Sequence, residues 1–381
     1  MQDPFADIRP FNDDEVRAAL QRLSQSPSLP AALLKYRYPW LPQWLARLLQ
    51  PLVRRVMRNR SRRIRSVEDF QVWVADWVAS LLENSSASIV VRGLDKLQQG
   101  RSYLWISNHR DIAMDPTMIN YSLHQAGWPT SRIAIGDNLL RHPDVSDIMR
   151  LNKSFIVKRS VASKREKLRE LQKLSAYIRQ SLDEGNSIWI AQREGRAKDG
   201  VDATDTAVLK MLALNGRERD ENFSATMQAM RPVPVCIQYE WDPCDLDKAR
   251  ELVIRSRCGR YDKSDDEDTR SILRGLTGFK GRIFVDFGTP LTAAELESAE
   301  TMATAIDRQL EEMTEVLPVH RAAFDLLQQR FGTWPEQAAA GSDEALRQQL
   351  SQRIENLDAD IQQRLLKTYA MPFLTVRGLS V

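Results

Sequence analysis

The sequence predicts an α/β protein: a mixed, mostly parallel β-sheet flanked by helices, with helical additions at both ends. Short runs rich in β-branched residues follow one another between residues 88 and 288, as in a buried sheet. Outside that part, apolar residues recur at the spacing of amphipathic helices. We therefore expect a helical N-terminal region with a basic amphipathic segment over residues 1–86, an α/β domain over 87–292, and a helical, acidic C-terminal region over 293–381.

The α/β domain is predicted from seven runs of β-branched and aromatic residues. They lie at residues 88–93, 103–107, 132–135, 154–157, 187–191, 233–239 and 282–288. The clearest helix between them covers residues 164–184, with Gly185 as its C-terminal stop. After about residue 292 strand signals disappear, and helical stretches surround a loop at 335–341. Strands alternating with helices indicate a sheet covered on both faces.

The N-terminal region is predicted to contain an arginine-rich amphipathic helix. Apolar residues recur at the spacing of one helical face: Leu45, Leu48, Leu49, Leu52, Val53 and Val56. Arg47, Arg54 and Arg58 fall on the opposite side. Because an interior proline breaks the helical ladder, Pro51 predicts two short helices in succession. A further stripe predicts a helix that packs on protein: Val67, Phe70, Val74, Trp77, Val78 and Leu81.

The composition excludes several classes of protein. A chain of 381 residues with 43% hydrophobic and 28% charged residues is globular and neither disordered nor fibrous. Three cysteines without suggestive spacing predict a reducing, cytosolic setting. Four histidines lie far apart without a metal-binding motif, so no metal site is expected. No secretory signal and no run of about 20 apolar residues is visible, so any membrane contact is expected to be peripheral.

The net charge of +3 conceals an uneven distribution. Residues 51–65 contain seven arginines and no acid, whereas residues 291–381 contain eight Lys and Arg against fourteen Asp and Glu. The basic run must meet an anionic partner or the acids of its own fold.

One segment places a histidine and carboxylates just after a predicted strand. The His segment, residues 104–119, ends its strand at Ser107 and continues with His109, Asp111 and Asp115. Ligands of α/β proteins bind beyond the carboxyl ends of strands. A histidine oriented by a carboxylate can take a proton from a hydroxyl group. A solvent-facing loop histidine is the plain alternative from these residues alone.

Two other segments place cations at strand ends. The Glu-Gly segment, residues 189–200, continues its strand with the sequence REGRAK, and the Lys-Arg segment, residues 153–160, ends in Lys158, Arg159 and Ser160. Glycine allows close backbone approach to a ligand, and arginine binds phosphate oxygens in bidentate fashion. Charged surface turns are the alternative. A pocket with a base and two sets of cations suits a hydroxyl group on a molecule that also carries phosphate.

The order of these segments resembles that of the glycerolipid acyltransferase superfamily, in particular the glycerol-3-phosphate acyltransferases. SNHRDIAMD resembles its first motif, SFIVKRS its second, REGRAKDG its third, and RPVPVCIQYE (231–240, here the Pro segment) its fourth. IAIGDNLL (133–140) is similar to a segment that follows the first motif. The resemblance covers roughly residues 104–240. It implies transfer of a fatty acyl group from an acyl thioester to a glycerol hydroxyl in phospholipid synthesis.

The sequence departs from the family pattern in two places. The family motif separates His and Asp by four residues, whereas five residues separate His109 from Asp115. Met114 occupies the expected position. We favour Asp115 as the partner because Pro116 is typical of a helix start, with Asp111 as the alternative. In the third motif Arg196 directly follows Gly195, which leaves open the cation that binds phosphate.

The resemblance implies the roles of the site residues. His109 is the general base and Asp115 orients its imidazole. Arg159, Arg193 and Arg196 hold the acceptor phosphate. The other expected contacts to substrate are Arg110, Lys158, Glu194, Gly195 and Lys198. No acyl-enzyme is implied, and Ser107 and Ser160 lack an activating context.

Glycerol-3-phosphate is the favoured acceptor, with 1-acylglycerol-3-phosphate close behind. The donor is acyl-CoA or acyl-carrier protein as co-substrate, and no bound cofactor is expected. The alternative function is a lipid-binding or regulatory homologue without catalysis, which the altered His-to-Asp spacing supports.

Three interpretations of the arginine run compete. No nucleic-acid-binding motif accompanies it and the acidic remainder repels a phosphate backbone, so nucleic acid is not favoured. A solvated or internally paired helix face is the plain alternative. We favour an anchor on an anionic membrane, with arginines opposite Leu, Val and Trp. Its cations are Arg54, Arg55, Arg58, Arg62 and Arg63. We therefore expect a bacterial, cytoplasmic enzyme associated peripherally with the inner face of the cell membrane.

Overall fold

The computed structural model describes residues 3–38, 40–140, 142–160, 163–332 and 341–379, apart from the side chains of residues 36 and 37. Its strands are β1 (Ser88–Arg92), β2 (Leu104–Ser107), β3 (Arg132–Gly136), β4 (Ser154–Val157), β5 (Ile188–Ala191), β6 (Pro232–Tyr239) and β7 (Arg282–Phe287). Its helices in the first half are α1 (Asp13–Gln25), α2 (Leu29–Arg37), α3 (Gln43–Ser61), α4 (Val67–Ser85), α5 (Met114–Gln125), α6 (Pro143–Leu151) and α7 (Lys164–Asp183). Its remaining helices are α8 (Thr206–Leu212), α9 (Phe223–Met230), α10 (Asp245–Cys258), α11 (Glu267–Thr277), α12 (Ala299–Met313), α13 (Pro318–Phe331), α14 (Glu344–Ile354) and α15 (Ala359–Val376).

The seven strands form one mixed, mostly parallel sheet in the order β1-β7-β6-β2-β5-β3-β4. Strands β6, β2, β5, β3 and β4 run parallel, whereas β7 is antiparallel to β6 and parallel to β1. The predicted fold class and all seven predicted strands are confirmed. The five parallel strands bring their carboxyl ends, and the segments that follow them, to one edge of the sheet.

The sheet is buried on both faces, and the central strand β2 shows how. Leu104 and Ile106 pack in one cluster with apolar residues of α7, α8, α9 and α12. Trp105 points to the other face, where residues of α4 and α5 cover it. Because successive side chains of a strand point to opposite faces, such a strand reads as a continuous apolar run.

The helix that carries the arginine run is continuous. Residues Gln43–Ser61 form one helix with Pro51 inside it, so the prediction of two short helices is wrong. Proline removes one backbone hydrogen bond, and α3 has no buried residues. The freed carbonyl of an exposed helix can meet water, so the break that we expected does not occur.

The following helix packs on protein, as predicted, with one exception. Phe70, Val78 and Leu81 of α4 are buried. Trp77 was placed on the same stripe, but its side chain is 40% exposed. The buried face also includes Gln71 and Leu82, so it is rotated round the helix relative to the predicted stripe and turned away from Trp77.

The C-terminal helices form a core of their own against the α/β domain. Phe324 of α13, Leu350 of α14 and Leu366 of α15 are fully buried in a cluster that also includes Trp241 and Phe284. Of the loop predicted at 335–341, only Gly341 lies within the described residues. Among the described helices none is both long and apolar enough to cross a bilayer.

Candidate active site

The histidine and one carboxylate of the His segment form a close pair. His109 lies in the turn after β2, and Asp115 is the second residue of α5. His109 Nδ1 lies 2.8 Å from Asp115 Oδ2, and the same oxygen accepts hydrogen bonds from the backbone N–H groups of Arg110 and Asp111 at 2.6 and 2.9 Å. Asp115 is 0% exposed. The turn therefore accommodates the fifth intervening residue, and the carboxylate still reaches the imidazole.

The alternative partner, Asp111, has a different task. Its Oδ1 accepts hydrogen bonds from the N–H groups of Ala113 and Met114 at 2.9 and 2.8 Å, which satisfies the start of α5. Its Oδ2 packs against α11, where a Cβ on Gly275 would lie 2.1 Å away. Burial and the nearby charge of Asp115 raise the pKa of Asp111. Asp111 thus holds the turn in place.

The Glu-Gly segment lies directly against the His segment. Strands β2 and β5 are neighbours, and Gln192 N–H donates to Ser107 O at 2.8 Å where they end. Beyond the strands, Ala197 N–H donates to His109 O at 2.8 Å. Gly195 lies in the loop between Gln192 and Ala197. Its φ is 79°, and no atom lies within 4 Å of the position that a Cβ would take. Arg193 and Arg196 flank this glycine, so the loop brings both cations to the neighbourhood of the histidine.

The cations of the site differ in how they are paired. Within the described residues, Arg193 and Arg196 make no ion pair, and Arg196 donates to Ser271 Oγ at 2.6 Å. Arg159 pairs with Glu194 at 3.2 Å, and both side chains are largely exposed. Its guanidinium lies over the end of β3, since a Cβ on Gly136 would be 3.2 Å from Arg159 Cζ.

Three other predicted substrate contacts are paired within the chain. Arg110 Nη2 lies 2.6 Å from Asp202, and Lys158 Nζ lies 2.5 Å from Asp7. Lys198 pairs with the buried Glu251. Their charges are compensated before any substrate arrives, and their role in binding stays a prediction.

Two contacts from the Pro segment were not foreseen. Asn108 bonds both backbone groups of Ile237 on β6, accepting from its N–H at 2.8 Å and donating to its C=O at 3.0 Å. Tyr239, the last residue of β6, donates its hydroxyl to Asp115 Oδ1 at 2.9 Å. For the Pro segment the sequence predicts only an apolar strand. The position of Tyr239 at the end of its strand is the signal that could have indicated this contact. A residue at the carboxyl end of a strand next to β2 lies at the same edge of the sheet as the His segment.

The C-terminal region supports the Glu-Gly segment, which the sequence did not suggest. Asp307 of α12 accepts from Thr204 N–H at 2.9 Å and from Thr204 Oγ1 at 2.6 Å. Thr368 of α15 donates to Lys198 O at 3.2 Å. Gly200 has a φ of 84°, and a Cβ there would lie 2.6 Å from Thr368 O. The loop after β5 is thus held between the His segment and the C-terminal helices.

No group of three or more His, Cys, Asp and Glu in the described part of the chain is placed to hold a metal ion. The arrangement instead combines a carboxylate-oriented imidazole with two unpaired guanidinium groups. Chemically, such a site can remove a proton from a hydroxyl and bind an anionic group of the same molecule.

Residues 88–235 match the family model described as Acyltransferase. This match shows that the chain carries an acyltransferase domain in the part that holds the His, Lys-Arg and Glu-Gly segments. Among solved structures, the chain is similar to the 1-acyl-sn-glycerophosphate (LPA) acyltransferase PlsC from Thermotoga maritima, with a TM-score of 0.38 and 12% identity over 80% of this chain and 97% of that chain. A search of curated proteins finds no significant match.

Proposed function

We propose that this protein is an O-acyltransferase that moves a fatty acyl group from an acyl thioester to a hydroxyl of a glycerol-phosphate acceptor in phospholipid synthesis. The main support is the pair of His109 and Asp115 at 2.8 Å, with the loop that carries Arg193 and Arg196 bonded to the histidine's own carbonyl. A base and free cations at one strand edge suit an acceptor with both a hydroxyl and a phosphate. Glycerol-3-phosphate is the favoured acceptor and 1-acylglycerol-3-phosphate the second, with acyl-CoA or acyl-carrier protein as donor.

His109 is the general base of the proposed reaction. Its Nδ1–H donates to Asp115, which assigns the tautomer and leaves Nε2 able to accept a proton. Nε2 takes the proton of the acceptor hydroxyl, and the oxygen attacks the thioester carbonyl. The tetrahedral intermediate collapses to an ester, and the protonated imidazole returns its proton to the departing thiolate. Base catalysis of this kind contributes about 10²–10⁴-fold.

The arginines hold the acceptor in this proposal. Arg193 and Arg196 have no carboxylate partner in the described structure, so a phosphate group need not displace one. Arg159 is paired with the exposed Glu194, and an exposed pair of this kind is worth only about 0–1 kcal/mol. Glu194 thus positions Arg159 before the acceptor binds, and a phosphate can then replace Glu194 at little cost.

Helix α3 is the proposed membrane anchor. Trp44, Leu48, Leu52 and Val56 follow one another at a spacing of four and are 65%, 67%, 58% and 55% exposed, so they form an apolar stripe on the surface. Trp40, 74% exposed, precedes them.

None of the arginines of α3 makes an ion pair within the described residues. An apolar stripe next to unpaired cations suits the interface of an anionic bilayer, where each basic residue contributes about 1 kcal/mol. We place the anchor on the inner face of a bacterial cell membrane, with the contacts made by Arg54, Arg55, Arg58, Arg62 and Arg63.

Release of free thiol from acyl-CoA tests the reaction. Wild-type protein is assayed with glycerol-3-phosphate or its monoacyl form, and His109→Ala is expected to lower the rate by about 10²–10⁴-fold. His124→Ala, a histidine at the far end of α5, is the matched control and should keep the wild-type rate. Equal thiol release by wild type and His109→Ala would refute the catalytic assignment.

The alternative of a homologue without catalysis rested on the altered His-to-Asp spacing. The 2.8 Å contact removes that support and favours the enzyme. Mass spectrometry of the lipids formed from one donor and both acceptors in equal amounts decides between the two acceptors.

A further inference from the structure

The carboxylate that orients His109 is held by donors on both of its oxygens. Asp115 Oδ2 accepts from the imidazole and from two backbone N–H groups of its own turn. Asp115 Oδ1 accepts from the hydroxyl of Tyr239 at 2.9 Å. Tyr239 lies on β6, whereas Asp115 lies at the start of α5. The hydroxyl therefore fixes the orientation of the carboxylate relative to the sheet as well as to the turn.

The position of Tyr239 is well defined. It ends β6, and β6 pairs with β2 in parallel register up to Val235 opposite Ser107. Two residues before the tyrosine, Ile237 exchanges two hydrogen bonds with the side chain of Asn108. The first residue of the turn after β2, Asn108, is thus bonded to β6 close to the end of that strand, and Asn108 directly precedes His109. The tyrosine hydroxyl therefore has little freedom to leave the carboxylate.

We propose that Tyr239 is a positioning residue of the acyl transfer, which acts on His109 through Asp115. This inference rests on the proposed function. With Oδ1 held by the hydroxyl, Oδ2 stays in the plane that the imidazole N–H requires. The same hydrogen bond draws negative charge toward Oδ1 and so weakens the hold of Oδ2 on the protonated imidazole.

The charged groups around this contact keep the tyrosine a donor. Burial comes first, followed by the carboxylates of Asp115, Asp111 and Asp242, and together they raise the pKa of Tyr239 well above 10. The hydroxyl therefore stays protonated across the working range of the enzyme.

The neighbouring cations are already engaged. Arg110 pairs with Asp202, and Lys248 bonds Asp242 and the carbonyl of Arg110. None of these pairs involves the tyrosine hydroxyl. Removing that hydroxyl should leave them in place, so a change in the pH profile can be assigned to the contact with Asp115.

Tyr239→Phe removes only the hydroxyl. Because the carboxylate loses the donor that orients its Oδ1, we expect kcat/KM to fall on the order of tenfold through kcat, with KM for the acceptor little changed. Because the carboxylate then keeps more charge on Oδ2, His109 should hold its proton more tightly. The acid limb of kcat/KM against pH should move upward by about half a pH unit.

Tyr369→Phe is the matched control. Tyr369 donates to the buried Asp245 at 2.9 Å and accepts from the backbone N–H of Asp242 at 3.0 Å, so its loss removes an equally long bond from tyrosine to carboxylate that does not involve Asp115. Both variants should lower the melting temperature, and only Tyr239→Phe should move the acid limb. As a second measurement, Tyr239→Phe is added to Asp115→Asn and should change kcat/KM by less than about twofold. The carboxylate through which Tyr239 acts on His109 is absent in that background.

The outcomes separate the two proposals. An unchanged acid limb in Tyr239→Phe, or an undiminished effect in the Asp115→Asn background, would overturn the inference about Tyr239. In that case the tyrosine is structural, while an inactive His109→Ala still supports the reaction. If wild type and His109→Ala release thiol equally, the proposed function itself fails.

Discussion

Helices α3 and α15 flank the same α/β domain at opposite ends of the chain, and they are of similar length, 19 and 18 residues. No residue of α3 is buried. In α15, by contrast, seven residues are buried, among them Leu366 and Phe373. Both helices are amphipathic, so the difference lies in what covers the apolar face. The fold covers that of α15, whereas in α3 it leaves a stripe of Trp44, Leu48, Leu52 and Val56 exposed.

The arginines of α3 and those of the C-terminal region also differ in whether they have acidic partners. Those of α3 have no acidic partner within the described residues. In the C-terminal region, Arg353 forms two hydrogen bonds to the buried Asp245, at 2.8 and 3.0 Å, and Asp358 and Asp360 pair with Arg257 of α10. Two acids of the C-terminal region are thus paired with a cation of the α/β domain, and one of its arginines is paired with an acid of that domain. The basic N-terminal helix has no such pairs within the described residues, and the proposed anchor assigns it an anionic membrane as partner. Excess charge therefore coincides with a proposed binding surface in the N-terminal helix but not in the C-terminal region.

The largest expected effect separates the two helices by stability. Leu366→Ala deletes a fully buried side chain and should lower the free energy of unfolding by about 2–5 kcal/mol. Leu52→Ala on α3 removes the same atoms from an exposed position and should change it by less than about 0.5 kcal/mol. Denaturant unfolding of both variants measures this. Equal losses would mean that α3 is covered by the protein after all.

The next effect concerns the membrane. Changing Arg54, Arg55 and Arg58 together to Gln should weaken binding to anionic vesicles by about 3 kcal/mol, or roughly a hundredfold. The matched control changes Arg330, Arg347 and Arg377 of the C-terminal region to Gln and should leave vesicle binding as it is. Co-sedimentation with anionic and with neutral vesicles provides the measurement. Equal binding to both kinds of vesicle, or to neither, would contradict the proposed anchor.

A buried histidine makes the stability of the C-terminal region dependent on acid. Burial, helped by the charge of Arg110, lowers the pKa of His320 to about 3 from 6.5. Below pH 6.5 the unfolded chain takes up a proton that the folded protein refuses, so stability is lost as pH falls from 6.5 toward 3. The loss should reach about 1.4 kcal/mol for each pH unit.

His320→Asn carries no such proton and should lack this part of the loss, as urea unfolding at pH 7, 6 and 5 can show. Arginines keep their charge over this range, so vesicle binding through α3 should not follow it. If the stability curves of wild type and variant stay parallel, the buried histidine does not take part.

The smallest effect tests whether the C-terminal region serves the site. Asp307→Asn keeps the shape of the side chain but weakens its bonds to Thr204. We expect thiol release to fall on the order of tenfold through misplacement of the Glu-Gly segment, with a change in stability below about 1.5 kcal/mol. Glu300→Gln, on the exposed side of the same helix in a pair with Lys210, is the control. Equal activities would limit α12 to a scaffold role.

Two features of the N-terminal helices show where sequence reasoning failed. Pro51 is a strong local signal for a break, but α3 continues because an exposed helix can lose one hydrogen bond to water. Trp77 follows the apolar stripe of α4 and yet is exposed. The stripe marks the side of the helix that is able to pack. How much of that side becomes buried depends on the neighbouring elements that pack against it.

Local patterns in the chain are enough to predict the seven strands and to place His109, Asp115 and the arginines after the carboxyl ends of strands. These follow from local periodicity and from the polarity of parallel strands, which neighbouring residues encode. Local patterns also locate the basic helix, because a run of arginines without acids is visible in the chain itself, whereas the lack of acidic partners for that helix is a property of the fold.

Which side chains of the site already have a hydrogen-bond or ion-pair partner, by contrast, follows from the packing of the elements alone. The hydroxyl of Tyr239 on Asp115, Asp307 on Thr204 and Glu251 on Lys198 join residues far apart in the chain. Such contacts depend on how the elements pack, and no local pattern specifies them. The physical reason is that burial determines whether a charge or hydroxyl must find a partner, and burial is a property of the whole fold.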